Sequence, residues 1–248
     1  MAVWDDVLTG MDREVFEAFD RGKDLGKRPA VVVVDMNYAF VGLKPEPILE
    51  SIKTYKTSCG EVGWTGVARI GQLLPVAREQ GIPVIYSTGI TSDVRGAGWA
   101  NRARAKRSLE VVSEEELEKR RVGNTIVKEI EPQPGDIVIT KRGPSVFYGT
   151  PLVSYLNEMD IDTLLVCGTT TSGCVRATVV DGACRNYYVG IIEDCTFDRF
   201  VISHKVSLMD MHAKYGTVIS LGEGMEYLKS EAEPTRRARS LSSLGADG

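Results

Sequence analysis

The chain has 248 residues, of which 43% are hydrophobic and 26% charged, and its formal net charge at pH 7 is −4. This balance is ordinary for a folded domain and lacks the strongly basic surface typical of nucleic-acid binding, so we expect the partner to be a small molecule, with no nucleic acid and no membrane. Five cysteines, an odd number in a chain long enough to bury a core, are expected to be free thiols.

The two ends of the chain differ from its centre. The first residues, MAVWDDVLTGMDREVFEAFD, are too acidic and polar for a secretory signal, and no apolar stretch approaches the roughly 20 residues that cross a bilayer. We therefore expect a cytoplasmic protein with one domain over residues 1–230, including an N-terminal arm over residues 1–27. Residues 231–248 are typical of a loose tail.

Six short apolar runs recur along the chain, each followed by polar or glycine residues. Their hydrophobicity is continuous rather than alternating, which is typical of parallel strands covered by helices on both faces. The runs are AVVVVD (30–35), IPVIYST (82–88), DIVITK (136–141), TLLVCG (163–168), YYVGIIED (187–194) and GTVISL (216–221).

Segments between these runs carry apolar residues at three-and-four spacing, the period of amphipathic helices. They cover residues 64–81, 150–160, the stretch after Cys174, and 202–216. The pattern predicts an α/β fold: a three-layer α/β/α sandwich with a six-stranded parallel sheet of the Rossmann-like type.

A mixed-charge segment over residues 92–135 interrupts this alternation. Its stretch NRARAKRSLEVVSEEELEKRR is expected to include one solvated helix. The basic run RARAKR either grips an anionic ligand or a neighbouring subunit or, as charge runs more commonly do, forms a solvated face.

Three residues with complementary chemistry follow predicted strands. Asp35 closes the first strand, Lys141 closes the third, and Cys174 follows the fourth after a short loop. Ligands of an open parallel sheet bind outside the carboxyl ends of its strands, so all three residues converge on the edge where a site is expected. Taken singly, each has a plainer interpretation as a packed cysteine, a turn-forming aspartate or a surface lysine.

The convergence predicts a cysteine nucleophile. A cysteine at the first turn of a helix meets unpaired N–H groups and the positive end of the helix dipole, and a nearby lysine adds to the preference for thiolate. Asp35 is then available to take the thiol proton, to return it to a leaving amine and to activate water. The loop GTTTSGC offers backbone N–H groups to an oxyanion.

Other catalytic chemistries have less support. The two histidines, His204 and His212, lie in one late helical stretch away from the strand ends, so a Cys-His pair is disfavoured. Neither a nucleotide-binding glycine motif nor a GxSxG sequence is present. We expect no cofactor and no metal, and we assign no role to the remaining cysteines, which are Cys59, Cys167, Cys184 and Cys195.

Three motifs resemble those of a known family. VVVVDMNYAF, ITKRGPSVFYGT and VCGTTTSGCVRATVVDGACRNYYVGIIEDC, in this order between about residues 28 and 221, resemble the isochorismatase-like cysteine hydrolases, and in particular the N-carbamoylsarcosine amidase branch. The resemblance implies an Asp-Lys-Cys triad of Asp35, Lys141 and Cys174, and a homotetramer. It also implies a non-proline cis peptide between Thr169 and Thr170, with an oxyanion hole formed by the backbone N–H groups of Thr170 and Cys174.

The resemblance also implies a residue that binds the substrate carboxylate. In that branch an arginine beyond the fifth strand has this role, and Arg199 in EDCTFDRF matches it. A guanidinium group grips a carboxylate through two parallel hydrogen bonds. The alternative is a salt bridge of Arg199 with Asp198 or Glu193. Further pocket candidates are Asn37, which stands where many relatives have glutamine, Phe40, Thr169, Trp99, Phe147 and Tyr148.

These observations predict a cofactor-independent amidohydrolase that releases ammonia, through a thioester, from a small carboxylate-bearing amide or N-carbamoyl compound such as N-carbamoylsarcosine. Two alternatives stay open: a maleamate amidohydrolase, and a small-molecule-binding relative without catalysis. The segment YSTGITSDVRG has no histidine, which argues against the metal-binding nicotinamidases of the superfamily. Cys174 argues against isochorismatases proper, which lack the cysteine nucleophile.

Overall fold

A computed structural model describes residues 2–19, 24–91 and 113–234. No helix in these ranges is long and apolar enough to cross a membrane. The strands are β1 (Pro29–Val34), β2 (Val84–Gly89), β3 (Ile137–Lys141), β4 (Thr163–Thr169), β5 (Tyr188–Phe197) and β6 (Thr217–Ile219). A π-helical turn lies at Thr171–Val175. The helices are α1 (Gly10–Phe19), α2 (Tyr38–Val41), α3 (Ile48–Thr54), α4 (Glu61–Glu79), α5 (Glu114–Asn124), α6 (Leu152–Glu158), α7 (Arg176–Ala183), α8 (Val201–Lys214) and α9 (Leu221–Ser230).

The strands form one parallel sheet in the order β3-β2-β1-β4-β5-β6, which confirms the predicted fold class. At the centre, Val34 of β1 pairs with Ser87 of β2 on one side and with Gly168 of β4 on the other. The chain runs outward from β1 to β3 on one side and from β4 to β6 on the other. The gap between the carboxyl ends of β1 and β4 is therefore the topological switch point at which such sheets bind ligands.

Both faces of the sheet are buried, because alternate residues of β1 belong to two different cores. Val31 and Val33 pack with side chains of α4 and α9, whereas Val32 and Val34 pack with side chains of α6, α7 and α8. All four valines are 0% exposed. This two-sided burial is the physical reason for the continuous rather than alternating hydrophobicity of the strand.

Helix α4 passes close to the carboxyl end of β5. A Cβ atom at Gly66 would lie 2.4 Å from the ring of Phe197, the last residue of β5, so only glycine permits this approach. The contact fixes the strand end from which the chain continues into Asp198 and Arg199.

The structure departs from the predicted elements in several places, since helices α1, α2, α3 and α9 were not predicted and one strand is longer than expected. Strand β5 continues to Phe197 rather than ending at residue 194, so Cys195 lies within the strand and not beyond it. Helix α9 was not anticipated, although Ser220 and Glu223 form a capping box at its start. That spacing is a recognised signal of a helix N-terminus and was available in the sequence.

The mixed-charge segment does contain a helix. Helix α5 begins after Ser113, whose side chain accepts the N–H of Glu116, and most of its residues are exposed. The basic run at residues 102–107 and Trp99 lie outside the described residues, as do residues 235–248 of the expected tail.

Candidate active site

Asp35 is the first residue after β1 and has a left-handed backbone conformation, with φ 51°. This conformation is uncommon for residues other than glycine, and strained residues of this kind cluster at functional sites. The neighbouring Gly168 on β4 has φ +107°, and a Cβ atom there would lie 2.1 Å from the carbonyl oxygen of Val34. Glycine is therefore required at residue 168 for β4 to approach the strand end that carries Asp35.

Asp35 and Lys141 form a buried ion pair. Nζ of Lys141 lies 2.7 Å from Oδ2 of Asp35, and the two side chains are 5% and 3% exposed. Ser87 donates its hydroxyl to Oδ1 of Asp35 at 3.0 Å, and Lys141 also donates to the carbonyl oxygen of Gly143 at 3.1 Å. Burial by itself lowers the pKa of Lys141, but the negative charge of Asp35 and its hydrogen bond to Nζ, with a further contribution from Cys174, raise it above its ordinary value. The lysine therefore stays protonated at neutral pH.

Cys174 lies half-buried in the π-helical turn that connects β4 to α7. Its side chain interacts with both Asp35 and Lys141. Turns of this type are rare and occur frequently at functional sites. The structure thus brings together the three residues that the sequence places after β1, at the end of β3 and after β4.

The surroundings of Cys174 act against the expected thiolate. Burial first, and the negative charge of Asp35 second, raise the pKa of Cys174 to about 12, while the Lys141 ammonium acts in the opposite direction. Burial and Asp35 therefore favour the thiol, and Lys141, whose charge is paired with Asp35, offsets them only in part. A nucleophilic sulfur requires transfer of the thiol proton, for which Asp35 is the nearby base.

The peptide bond between Thr169 and Thr170 is cis. The carbonyl oxygen of Thr170 accepts the N–H groups of Gly173 and Val175 at 2.9 and 3.2 Å. A Cβ atom at Gly173 would lie 2.7 Å from the hydroxyl of Thr170, so the turn needs its glycine. These contacts order the backbone around the predicted oxyanion donors, the N–H groups of Thr170 and Cys174.

Two of the predicted pocket residues have polar partners within the protein. Asn37 caps α2, because its Oδ1 accepts the N–H of Phe40 at 3.3 Å, and its Nδ2 donates to the hydroxyl of Thr88 at 2.9 Å. Thr169 is buried and donates to the carbonyl oxygen of Phe197 at 3.4 Å. Asn37 therefore shapes the loop that follows Asp35. Phe40 lies half-buried on α2, the short helix that Asn37 caps.

Arg199 lies two residues beyond β5, half-buried, and donates from Nη1 to the carbonyl oxygen of Thr57 at 2.7 Å. Within residues 2–19, 24–91 and 113–234, it forms no ion pair with a carboxylate, so the alternative salt bridge with Asp198 or Glu193 is absent from the described chain. The guanidinium group retains donors that the Thr57 carbonyl does not use.

The two aromatic candidates after β3 lie in different environments. Phe147 is 5% exposed and packs in the core, where its ring lies 6.1 Å from that of Tyr187 and 4.8 Å from the guanidinium of Arg185. Tyr148 is 61% exposed, and its ring lies against Gly143, where a Cβ atom would come within 2.7 Å of it. Only Tyr148 is therefore near the loop that accepts a hydrogen bond from Lys141.

Sequence reasoning missed the residues that surround the π-helical turn. Oδ2 of Asp198 accepts both the N–H and the hydroxyl of Ser172, at 2.8 and 2.7 Å. Nδ1 of His204 lies 2.8 Å from the hydroxyl of Thr171. A signal for Asp198 was available, because it is the first residue after β5 just as Asp35 is the first after β1. It was overlooked because the strand was predicted to end three residues early.

The remaining cysteines are free thiols, of which Cys59, Cys167 and Cys195 are buried and Cys184 is exposed. Burial raises the pKa of Cys59 to about 11 and that of Cys195 to about 12. In the part of the chain that the structure describes, no group of three or more His, Cys, Asp or Glu side chains could hold a metal ion.

Comparisons with known proteins agree with the fold and with the class of chemistry. The model of the isochorismatase domain matches residues 29–223. An N-carbamoylsarcosine amidase of Arthrobacter is 29% identical over 230 residues, 89% of this chain and 82% of that protein. A ureidoacrylate amidohydrolase of Methylobacterium radiotolerans is 30% identical over 198 residues, 76% of this chain and 74% of that protein.

Two further matches support less: one covers under half of each chain, and the other concerns the fold. A maleamate amidohydrolase of Pseudomonas putida is 33% identical over 100 residues, and the match spans only 47% of that protein and 40% of this chain. The crystal structure of a cysteine hydrolase from Pseudomonas syringae pv. phaseolicola superimposes with a TM-score of 0.68 over 82% of this chain and 93% of that chain, at 24% identity. The second match concerns the fold alone.

Proposed function

The chain belongs to the isochorismatase family, and from that premise we propose that it is a cysteine-dependent amidohydrolase that cleaves the C–N bond of a small carboxylate-bearing amide or N-carbamoyl compound. One observation carries the proposal: Cys174 adjoins the buried Lys141–Asp35 pair at the topological switch point of the sheet. A nucleophile, a base and a fixed positive charge are the groups that amide cleavage through a covalent intermediate requires.

The first half of the reaction forms a thioester. Asp35 accepts the thiol proton while Sγ of Cys174 attacks the amide carbonyl carbon, and Lys141 stays protonated and stabilises the negative charge that develops on the sulfur and on Asp35. The carbonyl oxygen becomes an oxyanion, which the backbone N–H groups of Thr170 and Cys174 stabilise. The C–N bond then breaks, and the nitrogen takes the proton from Asp35 and leaves as ammonia.

The second half releases the acid. Asp35, again ionised, takes a proton from a water molecule whose oxygen attacks the thioester carbon, and the proton returns to Cys174 as the C–S bond breaks. The sum is an amide plus water giving an acid plus ammonia. With an N-carbamoyl substrate the acid is a carbamic acid, which decomposes to carbon dioxide and the amine.

We assign binding of the substrate carboxylate to Arg199. Support comes from its half-buried guanidinium, which has a backbone carbonyl but no carboxylate as partner among the described residues. Three relatives are named after N-carbamoylsarcosine, ureidoacrylate and maleamate. Each of these compounds combines a carboxylate with a terminal amide nitrogen. We place N-carbamoylsarcosine-like compounds first, because that relative matches most of both chains. Maleamate remains the alternative.

Ammonia release tests the proposal. Wild type, Cys174→Ala and the control Cys184→Ala are assayed with N-carbamoylsarcosine, N-carbamoylglycine, ureidoacrylate, maleamate and nicotinamide. Turnover of one acid by wild type and the control, with none by Cys174→Ala, is the expected result. Equal ammonia release by Cys174→Ala would refute the cysteine mechanism, and tight binding without turnover would favour the non-catalytic relative.

The assembly implied by the resemblance and the location expected from the sequence are also part of the proposal. A homotetramer and a cytoplasmic location are the expectations. The start of α8 offers a surface for association, since Phe200, Val201 and Ile202 are 63%, 70% and 58% exposed. Light scattering at micromolar concentration measures the assembly, and a monomer there would contradict it.

A further inference from the structure

The turn that carries Cys174 is held by the segment that follows β5. Asp198 is 6% exposed, and one of its oxygens, Oδ2, accepts both the N–H and the hydroxyl of Ser172. The two distances are 2.8 and 2.7 Å, within the range of charge-assisted hydrogen bonds, which are stronger than neutral ones. Ser172 lies between the cis peptide and the nucleophile, two residues before Cys174.

A second contact joins the same two elements. Nδ1 of His204, in the first turn of α8, lies 2.8 Å from the hydroxyl of Thr171. Burial lowers the pKa of His204 although Asp198 acts to raise it, so the ring is neutral at neutral pH and this contact is a neutral hydrogen bond. Asp198 therefore provides the charged contact to the turn, and His204 supports it.

Asp198 and Arg199 are adjacent in sequence but have different partners. Asp198 binds the turn before Cys174, whereas Arg199 binds the carbonyl oxygen of Thr57 in the loop before α4. Neither residue pairs with the other among the described ion pairs. The two residues after β5 thus have separate partners: the carboxylate of Asp198 contacts the π-helical turn that carries Cys174, and the guanidinium of Arg199 contacts the loop before α4.

We propose that Asp198 is a positioning residue for Cys174, acting through Ser172, and that residues 198 and 199 divide two tasks. Asp198 fixes the nucleophile, and Arg199 binds the substrate carboxylate. The second half rests on the proposed function, whereas the first concerns only the reactivity of Cys174. Small displacements of a reacting group lower rates by as much as about 10²-fold, so loss of the Asp198 contact is expected to reduce reactivity without removing any reacting atom.

Alkylation of Cys174 by iodoacetamide tests the first half without any substrate. Peptide mass spectrometry follows Cys174, with the exposed Cys184 in the same protein as the reference thiol. Asp198→Asn keeps the size of the side chain and removes the charge, and it is expected to slow alkylation of Cys174 relative to Cys184 by about tenfold. Ser172→Ala removes only the hydroxyl contact of an exposed residue and should give a smaller decrease, while Asp198→Glu restores part of the rate.

Arg199→Lys tests the second half at the adjacent residue. It should slow alkylation of Cys174 by iodoacetate, which carries a carboxylate, more than alkylation by iodoacetamide, which does not. An unchanged Cys174 to Cys184 ratio in Asp198→Asn and Ser172→Ala would overturn the positioning role. A decrease of equal size with both reagents in Arg199→Lys would overturn the division of tasks.

Steady-state kinetics separate this inference from the proposed function. With an active substrate, Asp198→Asn should lower kcat with little change in KM, and Arg199→Lys should mainly raise KM. If no substrate is turned over but Asp198→Asn still slows alkylation selectively, the positioning role stands and the proposed function fails. If both variants raise KM alone, Asp198 is a binding residue and the inference is wrong.

Discussion

Two ion pairs lie at opposite ends of β3, and one of them adjoins Cys174. At the amino end, Asp136 pairs with Arg78 of α4 at 2.6 Å, with side chains 6% and 20% exposed. At the carboxyl end, Lys141 pairs with Asp35 at 2.7 Å, and the side chains are 5% and 3% exposed. The distances are nearly equal and both carboxylates are buried, so neither quantity distinguishes the proposed catalytic pair from the other pair.

The difference lies in the groups around each pair. Asp136 accepts the N–H of Gln133 as well as Arg78, and Arg78 also donates to Tyr86, whose hydroxyl donates to the carbonyl of Ile130. The partners of this pair are thus a backbone N–H and a phenol hydroxyl that is itself bound to a backbone carbonyl. The pair at the carboxyl end instead adjoins the thiol of Cys174, a group that can exchange a proton with it.

The largest effect is expected at the sulfur itself. Cys174→Ser keeps the shape of the site and should lower kcat by at least about 10³-fold, because serine is a much weaker nucleophile without a matched base. The thermal midpoint should stay within a few degrees of wild type. Activity comparable to wild type would remove the difference between the two ends of β3.

Replacing the cation of each pair gives the direct comparison. Lys141→Met leaves the carboxylate of Asp35 buried without its partner, so we expect a loss of about 3–5 kcal/mol of stability together with at least about 10²-fold in kcat. Arg78→Met should cost about 1–3 kcal/mol, because Asp136 keeps its backbone donor, with kcat within about threefold of wild type.

Urea unfolding and initial rates on the same preparations measure both quantities. A large decrease of kcat in folded Arg78→Met would show that the amino-end pair also supports the chemistry. A fully active Lys141→Met would remove the lysine from the mechanism.

Adjacent residues of β2 extend the comparison, because their hydroxyls face different pairs. The hydroxyl of Ser87 donates to Oδ1 of Asp35 at 3.0 Å, and the hydroxyl of Tyr86 accepts from Nη2 of Arg78 at 3.1 Å. Ser87→Ala removes a hydrogen-bond donor to the Asp35 carboxylate, so kcat should be about tenfold lower. Tyr86→Phe should cost about 1–2 kcal/mol of stability and leave kcat within about threefold of wild type. A larger decrease of kcat in Tyr86→Phe than in Ser87→Ala would reverse the assignment.

The smallest expected effect is the loss of stability at high pH. The pKa of Cys174 and that of Cys195 are raised from 9.0 to about 12. The unfolded chain therefore loses these protons first, so stability present below about pH 9 decreases as the pH rises towards the folded-state value. Each group contributes at most about 1.4 kcal/mol per pH unit.

Urea unfolding between about pH 8 and 10 compares the two thiols. Cys195→Ala and Cys174→Ser should each flatten the decrease by a similar amount, because the pKa of both thiols is raised to about 12. Parallel curves for wild type and both variants would show that these thiols do not titrate differently on folding.

Much of the site was predictable because it follows from local pattern. A strand buried on both faces is continuously hydrophobic, so the ends of β1, β3 and β4 are visible in the sequence, and Asp35, Lys141 and Cys174 mark them. The contacts of Asp198 and Ser87 were not predictable in the same way, since each depends on a side chain brought from another element. Ser87 lies 52 residues from Asp35, and Asp198 lies 26 residues from Ser172.

By itself the sequence determined the sheet, the order of its layers and the edge at which the three reactive residues meet, because periodicity and strand ends depend on neighbouring residues. Only the tertiary structure decided which charges are paired and which groups surround the sulfur. Lys141 lies 106 residues from Asp35 and pairs with it at 2.7 Å, and burial together with Asp35 raises the pKa of Cys174, whereas a helix start and a nearby lysine alone predict a thiolate. Electrostatic energies depend on distance and burial, and the folded chain alone specifies both.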